Sequence, residues 1–234
     1  LAKVYLTQQK WTEAMSAANA VMTSAQYDLS TPYDRIFREE GENSKESVFE
    51  VQATATAAIP SALGVQYAQI QGVRGAGIWD LGWGWNSPSP QLEAAYEAND
   101  PRKNRTIMYT STTTTTFQTI YGENLPTGLP NPRYNNKVYT NPATRASLGN
   151  RFGYWMNVRV LRYADVVLMY AEAANELGGA ANIEAAKAAL NSSVPKAAVK
   201  SPRSAAVKER RPSRMRLSGR ATAPGWFGVM GEPL

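Results

Sequence analysis

The chain has 234 residues, of which 43% are hydrophobic, enough for one domain with a sizeable core. It contains no cysteine and no histidine, which excludes disulfides, thiolate or imidazole metal sites, and Ser-His-Asp or Cys-His catalysis within this chain. The net charge is +6, but residues 1–190 carry 16 Lys and Arg against 17 Asp and Glu, whereas residues 191–234 carry 9 against 2, so the basic excess belongs to the end of the chain.

The first predicted element is a helical hairpin. Residues 1–6 indicate the end of one helix, and apolar residues recur at helical spacing from Trp11 to Ser24. Small alanines at the contact positions make the pair similar to half of a tetratricopeptide unit, which cannot bury its apolar face alone. The start also lacks the pattern of a signal peptide. We therefore expect the chain to be a fragment whose N-terminal repeats and targeting signal lie upstream.

The middle of the chain is predicted to be rich in loops. Residues 46–52 form a short pattern typical of a strand, and residues 64–90 are dense in Gly, Trp, Asn, Ser and Pro. A loop of this length in a domain is usually functional or mobile. A short helix is expected over 91–98 with Ser89 as its N-cap. Residues 109–150 are expected to be extended or irregular.

A second helical hairpin is predicted near residue 160. One helix is expected from Val158 to Leu177, ended by Gly178 and Gly179, and a second helix over 183–191, capped by Asn182. The predicted fold class is therefore mainly α, with helical hairpins of tetratricopeptide-like type packed on a loop-rich region that has at most short strands.

The last part of the sequence differs in composition. Residues 192–234 contain five prolines and nine cations, with only scattered apolar residues. Such a segment cannot bury enough apolar surface to offset the entropy lost on ordering. We therefore expect two parts: a folded domain over 1–191 and an atypical basic tail over 192–234, which is disordered or read from a shifted frame.

The strongest candidate site lies in the glycine-rich segment. Three tryptophans occur within seven residues, next to an aspartate and an asparagine. Flat rings suit the apolar face of a sugar, and amides or carboxylates bond its hydroxyls. The predicted glycan-binding residues are Trp79, Trp83, Trp85, Asp80, Asn86 and Tyr67, with Gln69 and Gln71 as weaker candidates. The alternative is that one or two of the tryptophans anchor the loop in the core.

Other charged residues are expected to be structural. Arg162 and Asp165 form an i, i+3 pair on the predicted helix. Asp165 and Glu172 could serve as the acid pair of a glycosidase, but apolar, core-like residues flank both. Asp100 and Arg102 are expected to fix a turn.

Nucleotide and nucleic-acid binding find little support. Residues 72–77 lack the Lys-Ser/Thr ending of a phosphate-binding loop. The basic tail lacks interleaved aromatic residues and a recognisable module, so nucleic acid is not an expected partner.

Four segments, in order, resemble the SusD/RagB family of Bacteroidetes nutrient-uptake proteins. They are the helical start over 1–14, the KESVFEVQ of 45–52, the PSPQL, Tyr and NDPR positions of 88–102, and the VRVLRYADVVLMYAEAANELG of 158–178. The last segment is similar to the family pattern almost residue for residue. Beyond residue 191 the pattern is lost, apart from Glu209, Arg210 and Arg211.

The resemblance implies a surface-exposed outer-membrane lipoprotein that binds oligosaccharides or, in some members, peptides. Such proteins deliver their ligand to a SusC-like TonB-dependent transporter without breaking bonds. It therefore implies no enzyme activity, cofactor or metal, and contact with the membrane only through a lipid anchor outside this fragment. Two alternatives remain open: a tetratricopeptide-like scaffold that binds a protein partner, and a fragment of a glycoside hydrolase.

Overall fold

Helices dominate the computed structural model, which describes residues 1–59 and 65–193. The helices are α1 (Ala2–Thr7), α2 (Trp11–Thr23), α3 (Tyr67–Gln71), α4 (Pro90–Ala94), α5 (Lys103–Thr106), α6 (Pro142–Leu148), α7 (Tyr163–Leu177) and α8 (Ala180–Ser193). The strands are β1 (Ser47–Val51), β2 (Ile107–Tyr109), β3 (Arg133–Asn135) and β4 (Val158–Arg162). They form two antiparallel pairs, β1 with β4 and β2 with β3. The predicted fold class is confirmed.

The helical layer brings together the two predicted hairpins. Helix α2 packs against α7, α7 packs against α8, and α1 contacts both α2 and α7. Ala14, Ala18 and Ala173 are fully buried, because small side chains let helices approach closely. Gly178 and Gly179 end α7 with φ of 68° and 79°, a conformation that suits glycine. The predicted end of this helix is confirmed.

The structure corrects the start of the second hairpin. Val158–Arg162 is strand β4 and not the first part of the helix, and it pairs with β1. Val158 and Val160 are β-branched and suit a strand once a partner is present. The helix begins at Tyr163, where the carboxylate of Asp165 accepts the backbone N–H of Arg162 at 2.9 Å. This bond satisfies a backbone donor at the start of the helix.

Other boundaries also differ from the prediction. Helix α8 begins at Ala180, so Asn182 lies inside it, and its side-chain amide donates to the Gly178 carbonyl at 2.9 Å. Asn182 is therefore not the N-cap. Ser89 does cap α4, because its hydroxyl accepts the Leu92 N–H at 3.1 Å, but the helix ends at Ala94.

Helix α6 lies in the region that was expected to be irregular. Asn141 caps it by accepting the Ala143 N–H at 2.9 Å, and Pro142 occupies its first turn. Both residues are typical of a helix start, so local signals for α6 were present in the sequence.

Pairing of β1 with β4 closes the base of the loop-rich region over 52–157. The salt bridge between Glu46 and Arg162, at 2.8 Å, ties the residue before β1 to the end of β4. This region contains the largest cluster of buried hydrophobic side chains among the described residues: Val73, Trp79, Leu81, Met108, Leu125, Tyr134 and Tyr139. The candidate site is built on this cluster.

Most of the predicted tail, residues 192–234, lies outside the described residues. Only Ser192 and Ser193 are described, and they end α8. The division into a folded domain and a tail thus stays a prediction. Within 1–59 and 65–193, no helix is both long and apolar enough to cross a membrane.

Candidate functional site

The glycine-rich segment folds back along α3 and is held by main-chain hydrogen bonds. The N–H groups of Trp83 and Trp85 donate to the carbonyls of Gln69 and Ile70 at 2.9 and 3.0 Å. Gly82 is required at this contact, because a Cβ there would lie 2.0 Å from the Gln69 oxygen. The backbone that carries the two tryptophans is therefore fixed before any ligand binds.

Trp83 and Trp85 present their indoles to solvent. Trp83 is 41% exposed and Trp85 is 60% exposed. Their ring centroids lie 5.3 Å apart and the ring planes are inclined by 57°. Two neighbouring exposed indoles form a continuous apolar surface that has not been buried in folding. We call this surface the Trp83–Trp85 platform.

Trp79 lies elsewhere. It is 8% exposed and stacks on Tyr139 in the core, with centroids 6.2 Å apart and planes inclined by 21°. Its indole is covered by protein and is not offered to a ligand. We therefore do not propose Trp79 as a glycan contact, and its burial fits the alternative in which a tryptophan anchors the loop in the core.

Polar groups next to the platform are oriented by a hydrogen-bond network. The Gln71 side-chain oxygen accepts both the Asn86 amide at 2.7 Å and the Asn135 amide at 2.8 Å. Asn86 is exposed and directly follows Trp85. Its amide nitrogen donates to Gln71, so its side-chain oxygen remains to accept a hydrogen bond from a ligand hydroxyl. Asn135 was not predicted, because it comes from the distant strand β3.

The other predicted residues are not all next to the platform. Asp80 forms a 2.7 Å salt bridge with Arg151, whose side chain lines a cleft of about 520 Å³ together with Ile78 and Phe152. Tyr67 is 40% exposed in the first turn of α3, but it makes no ring contact with Trp83 or Trp85 within the described chain. The structure thus brings together Trp83, Trp85 and Asn86.

The weaker candidates Gln69 and Gln71 are buried. Gln69 accepts the Tyr154 hydroxyl at 2.8 Å, and Gln71 holds the two asparagines described above. Both side chains are therefore part of the support beneath the platform and not of its surface.

The turn expected at Asp100 and Arg102 is confirmed, and Arg162 and Asp165 also make structural contacts. Asp100 accepts the Arg102 backbone N–H at 2.9 Å and also pairs with its guanidinium, which fixes the turn. Arg162 and Asp165 lie 3.5 Å apart, and Asp165 also accepts the backbone N–H at the start of α7. Burial raises the pKa of Glu172, and the charge of Glu176 adds to this effect.

A second cleft, of about 470 Å³, opens between α4, β2 and the segment before β3. Glu93 lines this cleft, and it accepts hydrogen bonds from the Tyr109 hydroxyl at 3.0 Å and from Arg133 Nε at 2.6 Å. The hydrogen bond from Arg133 is the main cause that holds the pKa of Glu93 below its usual value. Burial and the hydrogen bond to Glu93 raise the pKa of Tyr109 to about 12.

Comparison with protein families gives one match. The sequence profile of the SusD family matches residues 45–194. No curated protein sequence matches the chain.

Solved structures share the fold. A surface glycan-binding protein A from Bacteroides thetaiotaomicron, in complex with laminarihexaose, is 19% identical with a TM-score of 0.61, over 91% of this chain and 47% of its own. A laminarin-binding SusD-like protein is 24% identical with a TM-score of 0.61, over 83% and 46%. A SusD superfamily protein from Parabacteroides distasonis is 21% identical with a TM-score of 0.60, over 88% and 45%. The chain thus spans less than half the length of these proteins.

Proposed function

The chain belongs to the SusD family, and from this membership and the exposed Trp83–Trp85 platform we propose that it is a non-catalytic glycan-binding protein. The platform carries the proposal. Two indoles held by a fixed backbone offer apolar faces to sugar rings, and Asn86 offers an acceptor to their hydroxyls.

We propose that the ligand is an oligosaccharide; other nutrients are the broader class from which the ligand comes if it is not a glycan. Two of the similar structures are named for laminarin or contain laminarihexaose, which makes laminarin the first polysaccharide to test. Because the planes of the two indoles are inclined by 57°, we expect a glycan whose successive sugar rings differ in orientation to fit better than a flat, ribbon-like glycan. Each stacked ring is worth about 0.5–1.5 kcal/mol beyond area burial, a range borrowed from aromatic pairs, so affinity for a single site is expected to be weak.

The partner and location follow from the family alone. We propose that the protein lies at the surface of the outer membrane and passes its ligand to a SusC-like TonB-dependent transporter. Co-purification of the full-length protein with a barrel transporter encoded beside it is the direct test of this part.

The role of binding without bond cleavage is supported by the positions of the candidate acids. Asp165 is engaged at the start of α7, and Glu172 lies on the same helix, which packs against α1, α2, α8 and β4. A hydrolase would release reducing ends from the bound polysaccharide, and a scaffold would bind a protein but no glycan.

Retardation in a gel containing laminarin tests the proposal. The wild-type chain is expected to be retarded, and the double change Trp83→Ala, Trp85→Ala is expected to abolish retardation. Ile78→Ala is the matched control, because Ile78 is an apolar residue that is 75% exposed at a different surface.

Three results would contradict the proposal. They are retardation that survives in the double variant, release of reducing ends by the wild-type chain, and absence of retardation by every polysaccharide tested. Far-UV circular dichroism of each variant separates loss of binding from loss of folding.

A further inference from the structure

We propose that the cleft of about 470 Å³ between α4, β2 and the segment before β3 is a second carbohydrate subsite, continuous with the Trp83–Trp85 platform. The inference rests on the proposed function and deepens it: the ligand is a neutral oligosaccharide long enough to contact the platform and the cleft together. The residues that line the cleft include Glu93, Tyr109, Thr110, Thr112, Pro130 and Arg133.

Asn131 joins the cleft to the platform. It lies between Pro130 and Pro132, which line the cleft. Its side-chain amide donates to the Gly84 carbonyl at 2.8 Å and to the Ser87 hydroxyl at 3.1 Å. Gly84 stands between Trp83 and Trp85 in the sequence, so one asparagine fixes the wall of the cleft to the backbone of the platform.

The size and lining of the cleft suit a sugar. Its volume falls within the range of about 300–1,000 Å³ that is typical of ligand pockets. Leu129 and the two prolines supply apolar surface, and hydroxyl and charged groups supply the hydrogen-bonding edge. Sugar rings need both kinds of contact, because they carry C–H faces and hydroxyl rims.

The polar groups of the cleft are fixed but not fully used. Arg133 Nε is bound to Glu93, and within residues 1–59 and 65–193 its terminal amino groups have no hydrogen-bond partner. The Thr110 hydroxyl donates to the Asn131 carbonyl at 2.6 Å, which leaves its oxygen free to accept. The cleft therefore offers both donors and acceptors in orientations set before binding.

The charges of the cleft favour a neutral ligand over a cationic one. Glu93 is flanked by Arg133 at 2.6 Å and by Lys103 at 3.5 Å, so the group as a whole carries an excess of one positive charge. The only carboxylate among these three residues is already bound on both oxygens. A cationic peptide would meet repulsion here, whereas sugar hydroxyls would meet hydrogen-bond donors.

The test measures how affinity depends on the length of the oligosaccharide. Calorimetric titration of the full chain with laminaribiose, laminaritetraose and laminarihexaose is expected to show a gain of about tenfold between the shortest and the longest, the effect of one or two added hydrogen bonds. Thr112→Trp fills the cleft at an exposed position and is expected to remove this gain while leaving the affinity for laminaribiose unchanged.

Thr113→Trp is the matched control, because it adds the same side chain to the same threonine run at an exposed residue that does not line the cleft. The Thr112 hydroxyl accepts the Thr115 N–H, so Thr112→Trp removes a hydrogen bond of the turn over 112–115 as well as filling the cleft. Pro130→Trp is therefore a second variant that fills the cleft without removing this hydrogen bond. A length gain that persists in both filling variants, or no gain in the wild type, overturns the subsite and leaves the platform standing. Absence of binding to every oligosaccharide contradicts the proposed function as well.

Discussion

The indole of Trp79 stacks on the ring of Tyr139, with centroids 6.2 Å apart, and this contact joins the glycine-rich segment to the core. Trp83 and Trp85 follow within six residues and remain exposed. The same segment therefore contains one tryptophan that stabilises the fold and two that face solvent. This separation makes stability and binding independently testable.

Trp79→Ala is expected to destabilise the chain by about 3–5 kcal/mol, because it removes a large buried side chain from a packed core. Urea unfolding followed by circular dichroism measures the loss. Trp85→Ala is the control and should change stability by no more than about 0.5 kcal/mol, as a surface substitution. If Trp79→Ala left the unfolding midpoint unchanged, the stacked contact with Tyr139 would not stabilise the fold.

Gly82→Ala is expected to reduce both stability and glycan binding although it keeps both exposed tryptophans. The new Cβ would lie 2.0 Å from the Gln69 carbonyl oxygen, so the backbone of the platform must move. Overpacking of this kind costs about 1–3 kcal/mol. Gly77→Asn is the control, because nothing lies within 4 Å of a Cβ there and Asn tolerates its φ of 60°. Unaltered laminarin retardation in Gly82→Ala would show that the platform does not depend on this contact.

Arg38 is 2% exposed and donates to the carbonyls of Asn136 and Tyr139, both at 2.7 Å. Arg38→Met should cost about 2–4 kcal/mol, because buried acceptors lose a charged donor. Arg38→Lys should restore little, since one ammonium cannot replace the planar fork. Arg35→Met, which breaks an exposed pair with Glu40, is the control and should cost no more than about 1 kcal/mol. Equal urea midpoints for the Arg38 and Arg35 variants would refute this role.

The charge of Lys137 should depend on pH near pH 8. Its amine lies 4.3 Å from the centroid of the Phe37 ring. Burial lowers the pKa of Lys137 from 10.5 to about 8, and the charge of Arg162 adds to this effect. NMR titration of the lysine ε-carbon should give a midpoint near this value, with the signal assigned by its loss in Lys137→Met.

The depressed pKa of Lys137 also predicts the direction of a stability change. Between about pH 8 and 10.5 the unfolded chain binds more protons at this lysine than the folded chain, so the contribution of Lys137 to stability rises with pH and is lost as pH falls. Lys137→Met should therefore raise stability at pH 7 by about 1 kcal/mol, once the lost contact with Phe37 is subtracted. The same change at the exposed Lys3 should have no effect. A Lys137 midpoint near 10.5 would contradict both expectations.

Local signals determined most of the helical layer. Neighbouring residues alone predicted three features that are confirmed: the apolar spacing of α2 and α7, the end of α7 at Gly178 and Gly179, and the cap at Ser89. The same short-range information also predicted a glycan site in the glycine-rich segment, with Trp79, Trp83, Trp85, Asp80, Asn86 and Tyr67 as its residues. Long, periodic helices bury a face that their own sequence defines, which is why they could be predicted.

Only the tertiary structure decided which segments pair as strands, which tryptophans are buried, and which polar residues reach the site. Val158–Arg162 is a strand because β1, distant in sequence, supplies its hydrogen bonds. Trp79 is buried because Tyr139 covers it, whereas Trp83 and Trp85 are held outward by contacts with α3. Asn131 and Asn135 reach the site from a segment that no local pattern connects to it. Burial and hydrogen-bond partners depend on contacts between distant parts of the chain. The sequence therefore determined which residue types are available for the site, and folding determined which of these residues meet there.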